Sequence, residues 1–489
     1  MIRLLQVAFT ILFALQSIIG CGKTLSPFDF GLLDAKNDIE RYEVLLRMHQ
    51  QAAGKGLRVS YKGIKQIDIE VPRSGTSIPL SYNTDFAGVT IVVRNVVKNT
   101  PLFILKKEVH EVSIEKGELA SRDFRNHNEL RRGKKLLIIE DQTRWVEQRT
   151  GYSSGAIRKD VLLLNNGKAL NNVVTSYDNE ESNPKFMWCD AANKKIVFKN
   201  LCFVRSADSK AITYLCSFSN ENNIRISNVS VKTPANSGLY GDAIFKFENC
   251  TNIKLEGVSI DGTYSLKDKY GYGIGMNNVW NAVFLRLKAD GNWGVFGNNN
   301  VNTAYLDDCD INRFDIHCYG RDVHCKKTTF RNLYNQFSSL YGTLSYEDCR
   351  FVHFVPVLFE SSYSAYTHFN LVIKNCAIDV DADRPYLINA GNPAKLATKP
   401  RAELAKASWP NVVINNLIVN LPTGEKDWTL FELRGGGGSN IYDISEMIIE
   451  GLEIRGASAT PKVRFSNRKM KFDKDLDIRV TKSSINTID

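Results

Sequence analysis

The sequence predicts an all-β chain wound as a parallel β-solenoid and closed at its N-terminal end by a capping helix. Three observations lead there: a short alternating motif that recurs through the second half of the chain, polar turn residues inside its copies, and one amphipathic helical stretch ahead of the first strands. The motif reads IVFKNLCF from Ile196, IRISNVSV from Ile224, IKLEGVSI from Ile253, VFLRLKA from Val283, AYLDDCDI from Ala304, LSYEDCRF from Leu344, LVIKNCAI from Leu371, VVINNLIV from Val412 and MIIEGLEI from Met447. The copies alternate apolar and polar residues, turn through Asn, Gly or Asp, and enter a second short strand at spacings of roughly 20 to 40 residues. A strand this short cannot bury its face alone, so copies must stack. A sandwich or propeller would need hairpins, and the two-residue Asn-Gly or Asp-Gly turns that mark them are mostly missing.

Taken in order, the first element is MIRLLQVAFTILFALQSIIGC, with one positive charge and an apolar run from Leu4 to about Ile19. It reads as a secretory signal over residues 1–20. Its end, Ile18-Ile19-Gly20-Cys21, resembles the lipobox of bacterial lipoproteins. That resemblance implies cleavage before Cys21, lipidation of its thiol and a protein tethered to a membrane, at the outer membrane or cell surface of a Gram-negative-type bacterium. No later stretch approaches the ~20 apolar residues of a membrane-spanning helix.

Residues 22–105 are expected to hold the cap and the first coils. In LLDAKNDIERYEVLLRMHQQAAGKG, Asp34 or Asn37 can cap a helix whose apolar residues fall at Ile39, Val44, Leu45 and Met48, and Gly54 and Gly56 stop it. Such a helix covers the open end of the first coil. Residues 106–185 depart from the coil period and are expected to form an insertion or a small lateral sheet; residues 186–489 carry the remaining coils.

Nine cysteines follow Cys21, an odd number without a dense framework, which argues against a disulfide scaffold. FENC at Cys250, LDDC at Cys309, YEDC at Cys349 and IKNC at Cys376 place thiols at equivalent positions, where stacked copies form ladders ~4.8 Å apart. Cys318 and Cys325 are expected to stand outside those ladders. The formal charge is +10. An exported basic protein meets anionic polymers; zinc-finger, RGG and RNP-type signatures are missing, so an acidic polysaccharide fits better than nucleic acid. A monomer is expected.

The order FDFGLLDAKNDIERYEVLL, then AGKGLRV, then stacked coils resembles the N-terminus of the pectate-lyase-like superfamily of right-handed parallel β-helices. The resemblance implies a right-handed coil for nearly the whole mature chain. It implies the reaction only weakly, since that superfamily includes lyases, hydrolases, epimerases and phage tail proteins.

The densest chemistry lies in FDIHCYGRDVHCKK, Phe314 to Lys327. Aligned with YGDAIFKFENC, GYGIGMNNVWN and NWGVFGNNNVN, it reads as one coil of the stack, whose alternation turns Ile316 and Cys318 inward and His317, Tyr319 and Arg321 outward. Neighbouring coils would offer Trp293, Asn298 and Asn299, then Asn277 and Asn278, with Lys246 ~14 Å along the groove. Asp322 and Glu360 complete the expected substrate-binding set. Alternation sends His317 and Cys318 to opposite faces, which disfavours zinc. Calcium remains possible, but Asp242, Asp315, Asp322 and Glu360 are dispersed, so no metal or other cofactor is predicted.

These residues suit β-elimination on a uronic-acid-containing polymer, of glycosaminoglycan or pectin type. Arg321 would neutralise the carboxylate, His317 would take the C5 proton, and Tyr319 would protonate the leaving oxygen. Phe314-Asp315-Ile316-His317 also resembles the Asp-Pro-His strand of alginate C5-epimerases, with Ile316 where that family has Pro. A glycoside hydrolase would use Asp315, Asp322 and Glu360. A non-catalytic glycan-binding protein would use Trp293 and tyrosines as stacking platforms.

Overall fold

The computed structural model describes residues 23–94, 100–147, 155–174, 176–177, 182–206, 215–232, 243–261, 272–289, 294–331, 334–337, 340–359, 368–380, 386–390, 407–422, 427–433, 442–456, 462–466 and 477–481. The signal segment with Cys21, and the side chains of Asp242, Trp293 and Glu360, lie outside them.

Residues Phe245–Ile260 show the repeating unit. Phe245 and Phe247 are buried, Cys250, Ile253 and Leu255 are buried, and Val258 and Ile260 are buried. Positive φ at Asn249 (51°), Asn252 (53°) and Gly257 (62°) bends this run into three faces. We call them the first (245–248), second (253–256) and third (258–260). Left-handed backbone costs an ordinary residue about 1–2 kcal/mol, and Asn tolerates it because its short amide bonds locally. The corner between the second and third faces repeats as Asn200, Asn228, Gly257, Arg286, Asp308, Lys327, Asp348, Asn375, Asn416 and Gly451, all at positive φ.

Stacking is parallel and in register. One inward column runs Ile196, Ile224, Ile253, Ala282, Ala304, Val323, Leu344, Leu371, Val412 and Met447. The repeat therefore has a further copy at Val323, inside VHCKK, and its fourth copy is registered on Ala282 rather than Val283. The chain is a right-handed parallel β-helix. Corner amides bond to their counterparts one coil away: Asn249 Nδ2 donates to Asn220 Oδ1 at 2.9 Å and Asn278 Nδ2 to Asn249 Oδ1 at 2.9 Å.

Three of the four cysteines expected at equivalent positions are so placed; Cys250 is corrected, since it stands at the corner between the first and second faces, in register with Val279 and Val301. Cys309, Cys349 and Cys376 are buried at the start of the third face, each donating to a carbonyl. Cys325 corrects the expectation: it is buried in the second-face column between Leu306 and Tyr346, a ladder residue like the others. Cys318 is buried too, and burial pushes its thiol up to about 12.

The capping helix spans Asp38–Lys55, with Asn37 accepting from the Glu40 N–H at its start and Gly56 in the left-handed region at its end. Val44, Leu45 and Met48 are buried, whereas Ile39 is exposed and faces away from the coil. Gly54 lies within the helix, so Gly56 alone stops it. No helix among the described residues is long and apolar enough to cross a membrane.

Between the first-face strand Phe103–Lys106 and the strand Ile196–Arg205, which covers the second and third faces, the chain leaves the coil and forms a five-stranded antiparallel sheet. Its order is Lys168–Ala169, Gly155–Asn165, Lys134–Glu147, Pro184–Asp190, His110–Glu111. The sheet lies on the corner between the first and second faces. There Asn278 Nδ2 donates to the Asp160 carbonyl at 3.2 Å, the Lys159 N–H donates to Asn300 Oδ1 at 2.9 Å, and Asn302 Nδ2 donates to the Asn172 carbonyl at 2.7 Å.

The corner amides should dominate local stability. Asn249→Gly keeps the backbone but loses two side-chain hydrogen bonds, and should cost about 2 kcal/mol. Asn249→Ala should cost about 1 kcal/mol more, because it adds left-handed strain. Urea unfolding midpoints of the two variants check the difference.

Candidate functional site

The stretch Arg313–Gly320 is where the first face meets its corner. Phe314 and Ile316 point into the core; Phe314 packs on Phe296 with ring centroids 4.8 Å apart, and Ile316 bridges to Phe337. The outward triplet is therefore Arg313, Asp315 and His317. Tyr319 adopts φ 54° between the bridge at Ile316 and the strand Gly320–Lys326, so alternation does not continue through it to Arg321. Of the expected outward triplet His317, Tyr319 and Arg321 only His317 lies on this face, because the corner falls inside it.

Arg313 and Asp315 form an ion pair with both side chains fully buried. Asp315 Oδ1 also accepts from the Gln336 N–H at 3.0 Å, and the Arg313 guanidinium lies 4.6 Å from the centre of the Tyr334 ring. His317 comes next, with Nε2 3.6 Å from Asp315 Oδ2 and 3.4 Å from the Tyr272 hydroxyl. Tyr272, which sequence reasoning missed, reaches across two coils because its ring lies over Gly297. A Cβ at Gly297 would sit 2.6 Å from that ring. Gly275 and Gly297 occupy the outward column that follows Ser217 and Lys246. Recurrence of glycine at an outward position was the signal available in GYGIGMNN and NWGVFGNNN.

The second outward column of this face is Glu248, Asn277 and Asn299, in register. Lys246 lies 3.9 Å from Glu248. Asn298 is corrected: it is fully buried in the inward column with Phe247 and Met276, and its Oδ1 accepts from the Met276 N–H at 3.2 Å. His317, Asn277, Asn299 and Lys246 thus share the first face, and Asn298 does not reach its surface.

Tyr319 and Arg321 lie elsewhere. Tyr319 is only 5 % exposed, and burial raises its phenol well above the usual range. Arg321 lies within the corner, between the positive-φ residues Tyr319 and Asp322, where Nη1 donates to the Val174 carbonyl at 2.9 Å and Nε sits 3.4 Å from Asp322 Oδ2. Asp322 in turn accepts from the Thr343 N–H at 2.9 Å. Arg321 and Asp322 therefore fasten the lateral sheet to the coil at the corner that follows His317.

Under that sheet Arg158 donates to Asp141 at 2.9 Å and stacks 3.7 Å from the centre of the Tyr177 ring. Asp160 accepts from the Val174 N–H and the Tyr177 hydroxyl, both at 2.8 Å. Burial pushes its carboxyl up to about 6 despite those donors and the nearby Arg158 and Arg321. Among the described residues no group of three or more His, Cys, Asp or Glu is placed to hold a metal ion.

No family model matches the sequence, and no curated protein matches it. Among solved structures the chain is similar to the tailspike protein gp49 from Pseudomonas phage LKA1, with a TM-score of 0.54 and 15% identity over 94% of this chain and 83% of that one. It is also similar to the Pseudomonas phage phi297 tailspike gp61, with a TM-score of 0.49 and 10% identity over 88% of this chain and 80% of that one. For a hyperthermoactive exopolygalacturonase from Thermotoga maritima the TM-score is 0.37, with 10% identity over 94% and 86% of the two chains. The first likeness bears on the fold alone.

Two outcomes follow from the sheet junction. Arg321→Ala should leave the coil folded while hydrogen exchange rises in residues 157–174. Asp160 bears on pH: its folded pKa of about 6 lies above the ordinary 3.8, so the folded chain keeps a proton that the unfolded chain releases between those values. The stability it contributes is complete below pH 3.8 and is lost as pH rises through about 6. Asp160→Asn should flatten this fall in melting temperature between pH 4 and 7, since the amide oxygen still accepts from Val174.

Proposed function

We propose that the protein binds and cleaves an acidic, uronic-acid-containing polysaccharide on the first face, by β-elimination. The observation that carries this reading is the chain Arg313, Asp315, His317, Tyr272 beside a glycine-lined column that leads to Lys246. β-Elimination needs a base for the C5 proton and an acid for the leaving oxygen. His317 Nε2 and the Tyr272 hydroxyl, 3.4 Å apart, supply that pair. Tyr272 takes the part first given to Tyr319. The buried Asp315 carboxylate lies 3.6 Å from the same Nε2 and, held by Arg313, sets the position of the imidazole edge that meets the substrate.

Lys246 stands three coils from Asp315, ~14 Å, so it would meet the carboxylate of a neighbouring sugar rather than that of the reacting one. Asn277 and Asn299 would donate to hydroxyls in between. A hydrolase needs two carboxylates roughly 5–9.5 Å apart. Among the described residues of this face Asp315 is held by Arg313, and Glu248 lies three coils from His317 in register, ~14 Å. This favours elimination over hydrolysis. Non-catalytic binding is the second reading, because His317 is only 8 % exposed. Tailspike gp54 of Acinetobacter baumannii bacteriophage AP22 is described in complex with a capsular saccharide, an instance of glycan binding by a tailspike. Export, and lipid attachment through Cys21, belong to the same proposal, since a surface tether would place the groove where such polymers are met.

The test is incubation of the protein from residue 22 onward with a panel of uronate polymers while absorbance of an unsaturated product is followed. Turnover should survive chelation by EDTA. His317→Ala and Tyr272→Phe should each lower kcat by about 100-fold or more with little change in KM. Arg321→Ala should retain kcat in the folded protein. New reducing ends without absorbance would replace elimination by hydrolysis, and binding without either would leave a glycan-binding protein.

A further inference from the structure

We propose a second saccharide site on the third face, separate from the His317 site: a groove that takes one acidic sugar unit and holds the polymer without cleaving it. The groove has a volume of about 350 Å³. Its outward column runs Ser230, Ser259, Lys288 and Asp310 on four successive coils. The two serines are small, so the surface dips between Lys232 on one side and Arg331 on the other.

The charges select the ligand. Arg331 is committed, since Nε and Nη2 donate to Asp310 at 2.6 and 3.0 Å. Lys232 and Lys288 are exposed and make no ion pair among the described residues. They are the cations left to receive an anion. Asp261 lines the same groove, as does the Arg331-bound Asp310. Carboxylates beside the lysines repel a compact dianion such as phosphate, yet they accept hydrogen bonds from hydroxyl groups. A sugar acid carries both functions on one ring: a single negative charge for the lysines, and hydroxyls for Asp261 and the serines. A neutral sugar would leave the lysines without a partner, and a polyphosphate would be opposed by the carboxylates. Lys288 lies two coils from Ser230, ~10 Å, so the column is long enough for a sugar ring with its linkages.

This site stands independently of the chemistry assigned to His317, and the experiment separates the two. An oligogalacturonate is titrated calorimetrically into the full protein carrying His317→Ala, so that the probe is not consumed, and into the same protein with Lys232→Gln and Lys288→Gln added. The expected result is a loss of about tenfold in affinity for one class of sites, with weaker binding at high salt. Lys232→Arg with Lys288→Arg should keep it, and circular dichroism melts should match for all variants. Methyl-esterified oligogalacturonate should not use the site, and inorganic phosphate should not compete. Equal affinity and stoichiometry with and without the glutamine pair would overturn the proposal. So would competition by phosphate at similar concentration, which would make the groove a simple anion site.

Discussion

Every property of this molecule depends on the left-handed corner. A residue at positive φ turns the chain by a fixed amount without consuming length, so the next coil returns in register and each side chain meets its counterpart ~4.8 Å away. Asn serves best because its amide can donate to the coil before and accept from the coil after, as Asn249 does between Asn220 and Asn278. The inward columns then pack like upon like, with Phe330 stacked on Phe351 at 5.3 Å between ring centroids. A slip of one residue in any coil would exchange the inner and outer sets along that face. The corners therefore specify the outward surface as firmly as they specify the core.

That dependence explains what could be read from the chain beforehand. The second and third faces carry strict alternation, and nearly all of their register was legible from Ile196 to Met447. The copy at Val323 was obscured because its histidine, cysteine and charged residues resemble a site more than a strand. The candidate site was less legible, since alternation predicts direction only while a strand continues. Tyr319 carries an aromatic side chain at a position where the preceding coils have Asn220, Asn249, Asn278 and Asn300, and nothing in its identity announces a left-handed corner. Once the corner falls there, Arg321 passes into it and the outward set becomes Arg313, Asp315 and His317. Tyr272 reaches His317 through stacking rather than through sequence proximity, so the recurring outward glycine beneath its ring was the one local signal for it.

The two sides of this corner use buried charge differently. Arg313 and Asp315 are taken out of water together, which is costly unless each finds further partners; Gln336 and the Tyr334 ring provide them. Such a pair contributes position rather than net stability, and it fixes the place from which His317 extends. Across the corner, Arg158, Asp141 and Asp160 are buried within the insertion, where their side chains tie its strands to Val174, Ser176, Tyr177 and Ser182. Titratable density alone does not separate these cases. What separates them is whether the last group in the chain of contacts faces a groove or faces another part of the protein.

The lateral sheet leaves the coil before Ile196 and is fastened by residues made much later, with hydrogen bonds that span 118 to 147 positions. During synthesis its strands emerge first and must wait, with their docking edge uncovered, until Asn278, Asn300, Asn302 and Arg321 have been added and coiled. Closing such long loops is slow compared with adding one coil to the next. Assembly of this chain is thus ordered in time: the β-helix grows from its cap toward the C-terminus, and an early-made part is sealed by a late-made one.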